Sequence, residues 1–205
     1  MTLLVTGGCG FIGSEIIRQA VNQGRNVLNI DALTYAANQN NLDSIKHLSN
    51  YEFKHLDICD RVSLEKVFSQ YQPLSVIHCA AESHVDRSIN SPNKFIYTNV
   101  IGTFNLLETA KKYKCKFLHI STDEVYGDLQ ETDPAFTEKN LIAPSSPYSA
   151  SKAASDHLVR AWGKTYGLPF LISNCSNNYG PYQYPEKLIP VVILACLQER
   201  KIPIY

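Results

Sequence analysis

The stretch Met1-Thr2-Leu3-Leu4-Val5-Thr6-Gly7-Gly8-Cys9-Gly10-Phe11-Ile12-Gly13 decides the fold of this chain. Its first half is short, apolar and β-branched at Val5 and Thr6, as a buried strand requires. Its second half satisfies G-x-G-x-x-G through Gly8, Gly10 and Gly13, and G-x-x-G-x-x-G through Gly7, Gly10 and Gly13. Glycines there permit a tight turn into a helix and let the backbone of Gly7, Gly10, Phe11, Ile12 and Gly13 approach a pyrophosphate at the helix N-terminus. The pattern gains weight from Asp31, which ends a second apolar run 18 residues after Gly13. A carboxylate at that place accepts hydrogen bonds from the ribose hydroxyls of an adenosine and repels a 2′-phosphate. No Arg or Lys follows closely to receive such a phosphate, so NAD is favoured over NADP.

Outward from this stretch the same alternation repeats. Strands are expected near 2–6, 26–31, 51–56, 74–79, 116–121 and 168–173. Helices are expected near 11–24, 61–71, 91–113, 147–167 and 185–199. Short apolar strands separated by helices indicate βαβ units, hence a Rossmann-like, doubly wound parallel α/β sheet with ligands beyond the strands' carboxyl ends. Asp57-Ile58 ends the third strand, where an adenine can lie. Cys79-Ala80-Ala81 ends the fourth, where small residues let the other half of a cofactor pass. Segment 127–146 is polar and proline-bearing and reads as a long loop able to cover the site.

Composition narrows the function classes. The chain has 205 residues, with 19 Lys+Arg against 19 Asp+Glu, so the formal net charge is zero. That argues against bulk electrostatic binding to nucleic acid or an anionic membrane. No apolar run approaches the roughly 20 residues of a membrane span. The N-terminus lacks a basic n-region and runs directly into the glycine motif, so it reads as a strand and not as a signal peptide. The six cysteines form no C-x-x-C pair and lie mostly in apolar segments, which suits reduced thiols in a cytoplasmic protein and gives no metal-ligand spacing.

Two fragments carry chemistry. Tyr148 and Lys152 are four apart on an expected helix and share a face. A nearby ammonium and the positive nicotinamide ring of a bound cofactor both favour the phenolate and are expected to lower the tyrosine pKa, making Tyr148 a base; Lys152 can also hold a nicotinamide ribose. The run Ser121-Thr122-Asp123-Glu124 ends the fifth strand. Paired carboxyl groups can divide into acid and base, with Thr122 bonding a reacting hydroxyl. His84 and Asp86 read as a loop near the same mouth, with His84 outside the chemistry.

These segments resemble the extended short-chain dehydrogenase/reductases and, within them, the dTDP-glucose 4,6-dehydratases. The resemblance rests on T-G-G-C-G-F-I-G-S at 6–14, D-A-L-T-Y-A at 31–36, A-A-E-S-H-V-D-R-S at 80–88, S-T-D-E-V-Y-G-D at 121–128, Y-S-A-S-K at 148–152 and N-N-Y-G-P-Y-Q-Y-P-E-K-L-I-P at 177–190. Cys9 stands where the family often has alanine. The resemblance implies that hydride passes from C4 of a nucleotide-activated glucose to NAD while Tyr148, assisted by Thr122, takes the hydroxyl proton. Glu124 then removes the C5 proton, Asp123 protonates the departing C6 hydroxyl, and hydride returns to C6. It also implies cofactor contacts at Thr34, Thr98 and Asn178. Substrate contacts fall at Ser83, Asn177, Lys187 and Leu188, and from Pro203 to Tyr205. A homodimer is implied through the helices near 91–113 and 147–167.

Family members continue well past the length of this chain. Residues 1–205 are therefore expected to hold the NAD-binding domain, with the substrate-binding portion only beginning at about 175–205 and the C-terminal substrate domain largely missing. An uncovered apolar face is expected to follow. Three alternatives stay open: a non-catalytic NAD-binding remnant, a UDP-glucose 4,6-dehydratase, and a nucleotide-sugar 4-epimerase, which needs the Tyr–Lys pair but not Asp123 and Glu124.

Overall fold

The computed structural model describes residues 1–202. Pro203 and Tyr205 lie outside the described residues. Among these residues the strands are β1 (Thr2–Thr6), β2 (Asn26–Asp31), β3 (Tyr51–His55), β4 (Ser75–His78), β5 (Lys116–Thr122) and β6 (Phe170–Cys175). They form one sheet in the order β3-β2-β1-β4-β5-β6, and every neighbouring pair is parallel. The order reverses between β1 and β4, which opens a crevice at their carboxyl ends.

The helices are α1 (Phe11–Asn22), α2 (Arg61–Tyr71), α3 (Val85–Asn90), α4 (Pro92–Phe95), α5 (Thr103–Lys112), α6 (Pro147–Tyr166) and α7 (Leu188–Leu197). Alternation along β1 sends its side chains to two layers. Leu4 packs with Leu64 and Phe68 of α2, Leu106 and Leu107 of α5 and Val159 of α6. Leu3 and Val5 pack with Ile17 and Val21 of α1 and with Leu42 and Ile45. The long helix α6 starts where its sequence dictates. Ser146 and Ser149 cap each other's backbone reciprocally, Pro147 occupies the first turn, and Gly167 ends the helix in a left-handed conformation.

Several boundaries differ from the sequence reading. The helix expected at 91–113 is α4 and α5 joined by a π-helical segment, Ile96–Gly102. The expected loop at 84–86 is instead the start of α3, with His84 accepting from the Arg87 amide as its cap. Strand β6 begins two residues late because Leu168 is drawn into the core and pairing starts only at Phe117, whose N–H reaches Pro169 O at 2.8 Å. Helix α7 is shorter than 185–199, since Lys187 is still extended. Segment 127–146 does not cover the crevice. It folds back on the turn after β5 and on α6, where Phe136 and Ile142 pack on Val125, Tyr126 and Ala153.

Candidate active site

The glycine turn forms a cradle that side chains would fill. Gly7 takes φ +68°, and a Cβ there would lie 2.6 Å from the Ala80 nitrogen. A Cβ on Gly13 would lie 2.3 Å from the Gly7 carbonyl oxygen. Helix α1 has no side-chain cap and no acid in its first turn. Its terminal N–H groups and positive dipole end are thus left to an anion. They open onto a cavity of about 310 Å³ whose walls include Gly7, Gly10, Phe11, Ile12 and Gly13.

Asp31 sits at the rim of that cradle, buried at 7% exposure. Its carboxylate accepts from the Cys9 N–H at 2.9 Å and the Leu33 N–H at 2.8 Å. Burial raises its pKa, and the two backbone donors oppose that rise. Each oxygen keeps a further lone pair for a hydroxyl donor. Cys9 does have a consequence: its sulfur accepts from Asn29 Nδ2 at 3.5 Å, and burial pushes its thiol up to about 12. The cavity continues past Thr34, Asp57, Ile58, Ala80, Ala81 and Thr98. A glycine cradle, a strand-end carboxylate and a groove between them fit a dinucleotide such as NAD.

The chemical residues enter the same cavity from β5 and α6. Ser83, Thr122, Glu124, Tyr148, Lys152, Asn177, Asn178 and Lys187 all line it. A tight turn after β5 aims the carboxylate, with the Glu124 N–H donating to Thr122 Oγ1 at 3.2 Å. Burial raises the Glu124 pKa, neighbouring Asp123 raises it further, and Lys187 lowers it. Lys187 in turn donates to the Ser83 carbonyl at 3.3 Å, so two expected substrate contacts meet.

The expected lowering of the Tyr148 pKa is not found. Burial raises it, the Glu124 charge adds to the rise, and only the contact with Thr122 works the other way. Lys152 is aimed instead at β5, donating to the Ile120 carbonyl at 2.7 Å. Burial pushes its own pKa down to about 8. Leu188 is 74% exposed and stands outside the cavity wall, as α7 points its first residue to solvent. Asp123 also stands outside the wall, 3.4 Å from the Thr122 hydroxyl.

Other residues went unnamed in the sequence reading. Glu186 joins α3 and the loop after β2 at the mouth: Tyr35 donates to it at 3.0 Å, Arg87 lies 3.5 Å away, and the Arg87 guanidinium stacks 3.7 Å from the Tyr35 ring. Asn99, in the π-helical segment, both accepts from and donates to the Glu82 backbone, at 2.9 and 3.0 Å, and donates to Ser151 Oγ at 2.8 Å. It thereby joins the end of β4 to α6. Asp156 had a signal available, because Tyr148, Lys152 and Asp156 continue one four-residue spacing.

Over residues 4–205 the sequence matches the family described as GDP-mannose 4,6 dehydratase. The chain belongs to this family. It is 56% identical over 214 residues to the dTDP-glucose 4,6-dehydratase of Neisseria meningitidis serogroup B, covering 99% of this chain and 60% of that protein. The chain therefore spans about three fifths of the length of this curated relative. Its fold matches a dTDP-glucose 4,6-dehydratase from Streptomyces venezuelae, solved with NAD and TYD bound. That match has a TM-score of 0.95 and 44% identity, and covers 100% of this chain and 65% of that one. A UDP-glucose 4-epimerase from Thermus thermophilus, solved with NAD, matches at TM-score 0.88 and 32% identity over 98% of this chain and 64% of that one.

Proposed function

We propose that this chain carries the cofactor site and the acid–base groups of a dTDP-glucose 4,6-dehydratase, which forms dTDP-4-keto-6-deoxyglucose with NAD. The observation that carries the reading is the joining of the glycine cradle, Thr122, Glu124, Tyr148 and Lys152 in one cavity. NAD, when bound, supplies the acceptor for hydride leaving C4 and the donor that returns it to C6. Gly7, Gly10 and Gly13 admit its pyrophosphate, Asp31 its adenosine ribose, and Lys152 its other ribose.

Tyr148 takes the proton of the sugar 4-hydroxyl while Thr122 polarises that hydroxyl. The resulting ketone acidifies the C5 proton, which Glu124 removes. A raised pKa makes Glu124 the stronger base once it is ionised. Asp123 protonates the departing C6 hydroxyl, and water leaves. Ser83, Asn177 and Lys187 hold the sugar nucleotide. The similarity to the Neisseria meningitidis dehydratase supports this substrate, and the adjacent Asp123 and Glu124 favour it over an epimerase. The proposal includes a homodimer through the helices near 91–113 and 147–167; the exposure of Tyr97 at 64% and Ile96 at 47% supports it.

The test is incubation of the 205-residue chain with NAD and dTDP-glucose. Appearance of a 4-keto product that absorbs in alkali supports the reading. The fraction of the relatives' length present favours a second reading, a cofactor-binding unit without turnover. NAD binding without product selects that one, and absence of NAD binding sinks both.

A further inference from the structure

Beneath the Tyr148–Lys152 pair lie two buried groups that the proposed reaction leaves unused, His119 and Asp156. Lys152, His119 and Asp156 are 3%, 0% and 1% exposed. Lys152 and Asp156 stand one turn apart on α6, and His119 reaches between them from β5. Its Nε2 lies 3.3 Å from Lys152 Nζ and 3.4 Å from Asp156 Oδ1. Asn174 of β6 donates to Asp156 Oδ2 at 3.0 Å and to the Thr122 carbonyl at 3.2 Å. The carboxylate is thus anchored to the strand end that bears the chemical residues.

We propose that His119 and Asp156 are a positioning pair for Lys152, keeping its ammonium charged and its free N–H directed at the cofactor ribose. This rests on the reading above, in which Lys152 holds that ribose. An ammonium has three donors. Two point inward, to the Ile120 carbonyl and to His119. The third is left for the cavity that Lys152 lines.

Asp156 is what opposes the desolvation of this ammonium most strongly, followed by Cys79 and Cys175. His78 on β4 and Tyr148 and Arg160 on α6 are further titratable neighbours; burial raises the Asp156 pKa, while Lys152 and Arg160 oppose that rise. Burial keeps both histidines neutral and pushes the Cys79 thiol up to about 12, so neither imidazole supplies a counter-charge. The Glu124 and Asp123 charges act on Tyr148. A neutral His119 serves one neighbour at a time through Nε2. With its proton on Nδ1 it accepts from Lys152 at 3.3 Å. Asp156 Oδ1, 3.4 Å from the same nitrogen, has no hydrogen-bond partner among the described residues and acts on Lys152 through its charge.

The experiment is carbon-13 NMR of the full chain labelled at the lysine ε-carbons, titrated against pH, with the Lys152 signal identified by its loss in Lys152→Met. Asp156→Asn is expected to move the Lys152 titration from about 8 to lower pH by about one unit or more. Asp156→Glu is expected to restore it, and His119→Phe to move it in the same direction by less. NAD affinity of Asp156→Asn should fall about fivefold at pH 8 and recover at pH 6.5, where Lys152 regains its proton. An unmoved Lys152 titration in Asp156→Asn overturns the proposal, even if the variant melts earlier. If that variant does not fold, an unmoved titration in His119→Phe overturns it equally. A moved titration with NAD affinity indifferent to pH refutes the ribose contact of the proposed function while the charge coupling stands.

Discussion

Helices α5 and α7 are each ten residues long, and their fates are opposite. The sequence of α5, Thr-Phe-Asn-Leu-Leu-Glu-Thr-Ala-Lys-Lys, is the more polar, yet it buries Thr103, Asn105, Leu106, Leu107, Thr109 and Ala110. The sequence of α7, Leu-Ile-Pro-Val-Val-Ile-Leu-Ala-Cys-Leu, is apolar all round, yet it buries Ala195 alone. Leu188 and Leu197 are 74% and 77% exposed, and Leu171 on the adjoining edge strand is 70% exposed. An apolar helix is ordinarily a buried one. Burial is a property of the partner as well as of the helix: Leu106, Leu107 and Ala110 of α5 share one core with α2, α6 and the sheet, whereas Ala195 is the one buried residue of α7. The expected uncovered apolar face is located here.

Four measurements break or sharpen this contrast. Leu106→Ala opens a cavity under three helices and is expected to cost about 2–5 kcal/mol in urea unfolding; a loss below 1 kcal/mol would mean the α5 layer is not the core. Next comes Lys152, whose pKa is about 8 in the fold against 10.5 in the open chain. The unfolded chain binds the extra proton between those values, so this group makes stability rise with pH across that window. The rise is expected to reach about 3–4 kcal/mol, to be complete above the unfolded value, and to vanish in Lys152→Met.

The cradle gives the third effect. Gly13→Ala should weaken NAD binding at least about tenfold, because the methyl group meets the Gly7 carbonyl. Unchanged affinity by calorimetry would displace the pyrophosphate from this turn. Smallest of all, Leu197→Ala in α7 is expected to change unfolding by no more than about 0.5 kcal/mol. A cost near that of Leu106→Ala would show that α7 is covered in solution, by a second copy or by further chain.

The legible parts of the molecule share one property: their signal is local. Strands β1 and β2 and helices α2 and α6 carry period, cap and stop within their own residues, down to Ser146, Ser149 and Gly167 for α6. The cavity-lining glycines, Asp31, Thr122, Glu124, Tyr148 and Lys152 were legible for the same reason, because each follows a strand or a cap by a fixed count. Illegible were features whose partner is remote in sequence. The start of β6 depends on Phe117, the mouth on Glu186 meeting Tyr35 and Arg87, and the aim of Lys152 on His119. The four-residue spacing puts Tyr148 and Lys152 on one face, whereas the strand beneath supplies an acceptor for Lys152 in the Ile120 carbonyl.

The sequence by itself determined the parallel sheet, the glycine cradle and the residue types of an acid–base site, because backbone sterics and hydrophobic period act over a few residues. The tertiary structure alone decided the direction in which each group's pKa is moved. Burial raises Tyr148, Glu124 and Asp31 and lowers Lys152. Desolvation depends on what surrounds a group in space, and no local pattern of residues encodes it. The same holds for α7, whose composition asks for burial that only a neighbouring surface can provide.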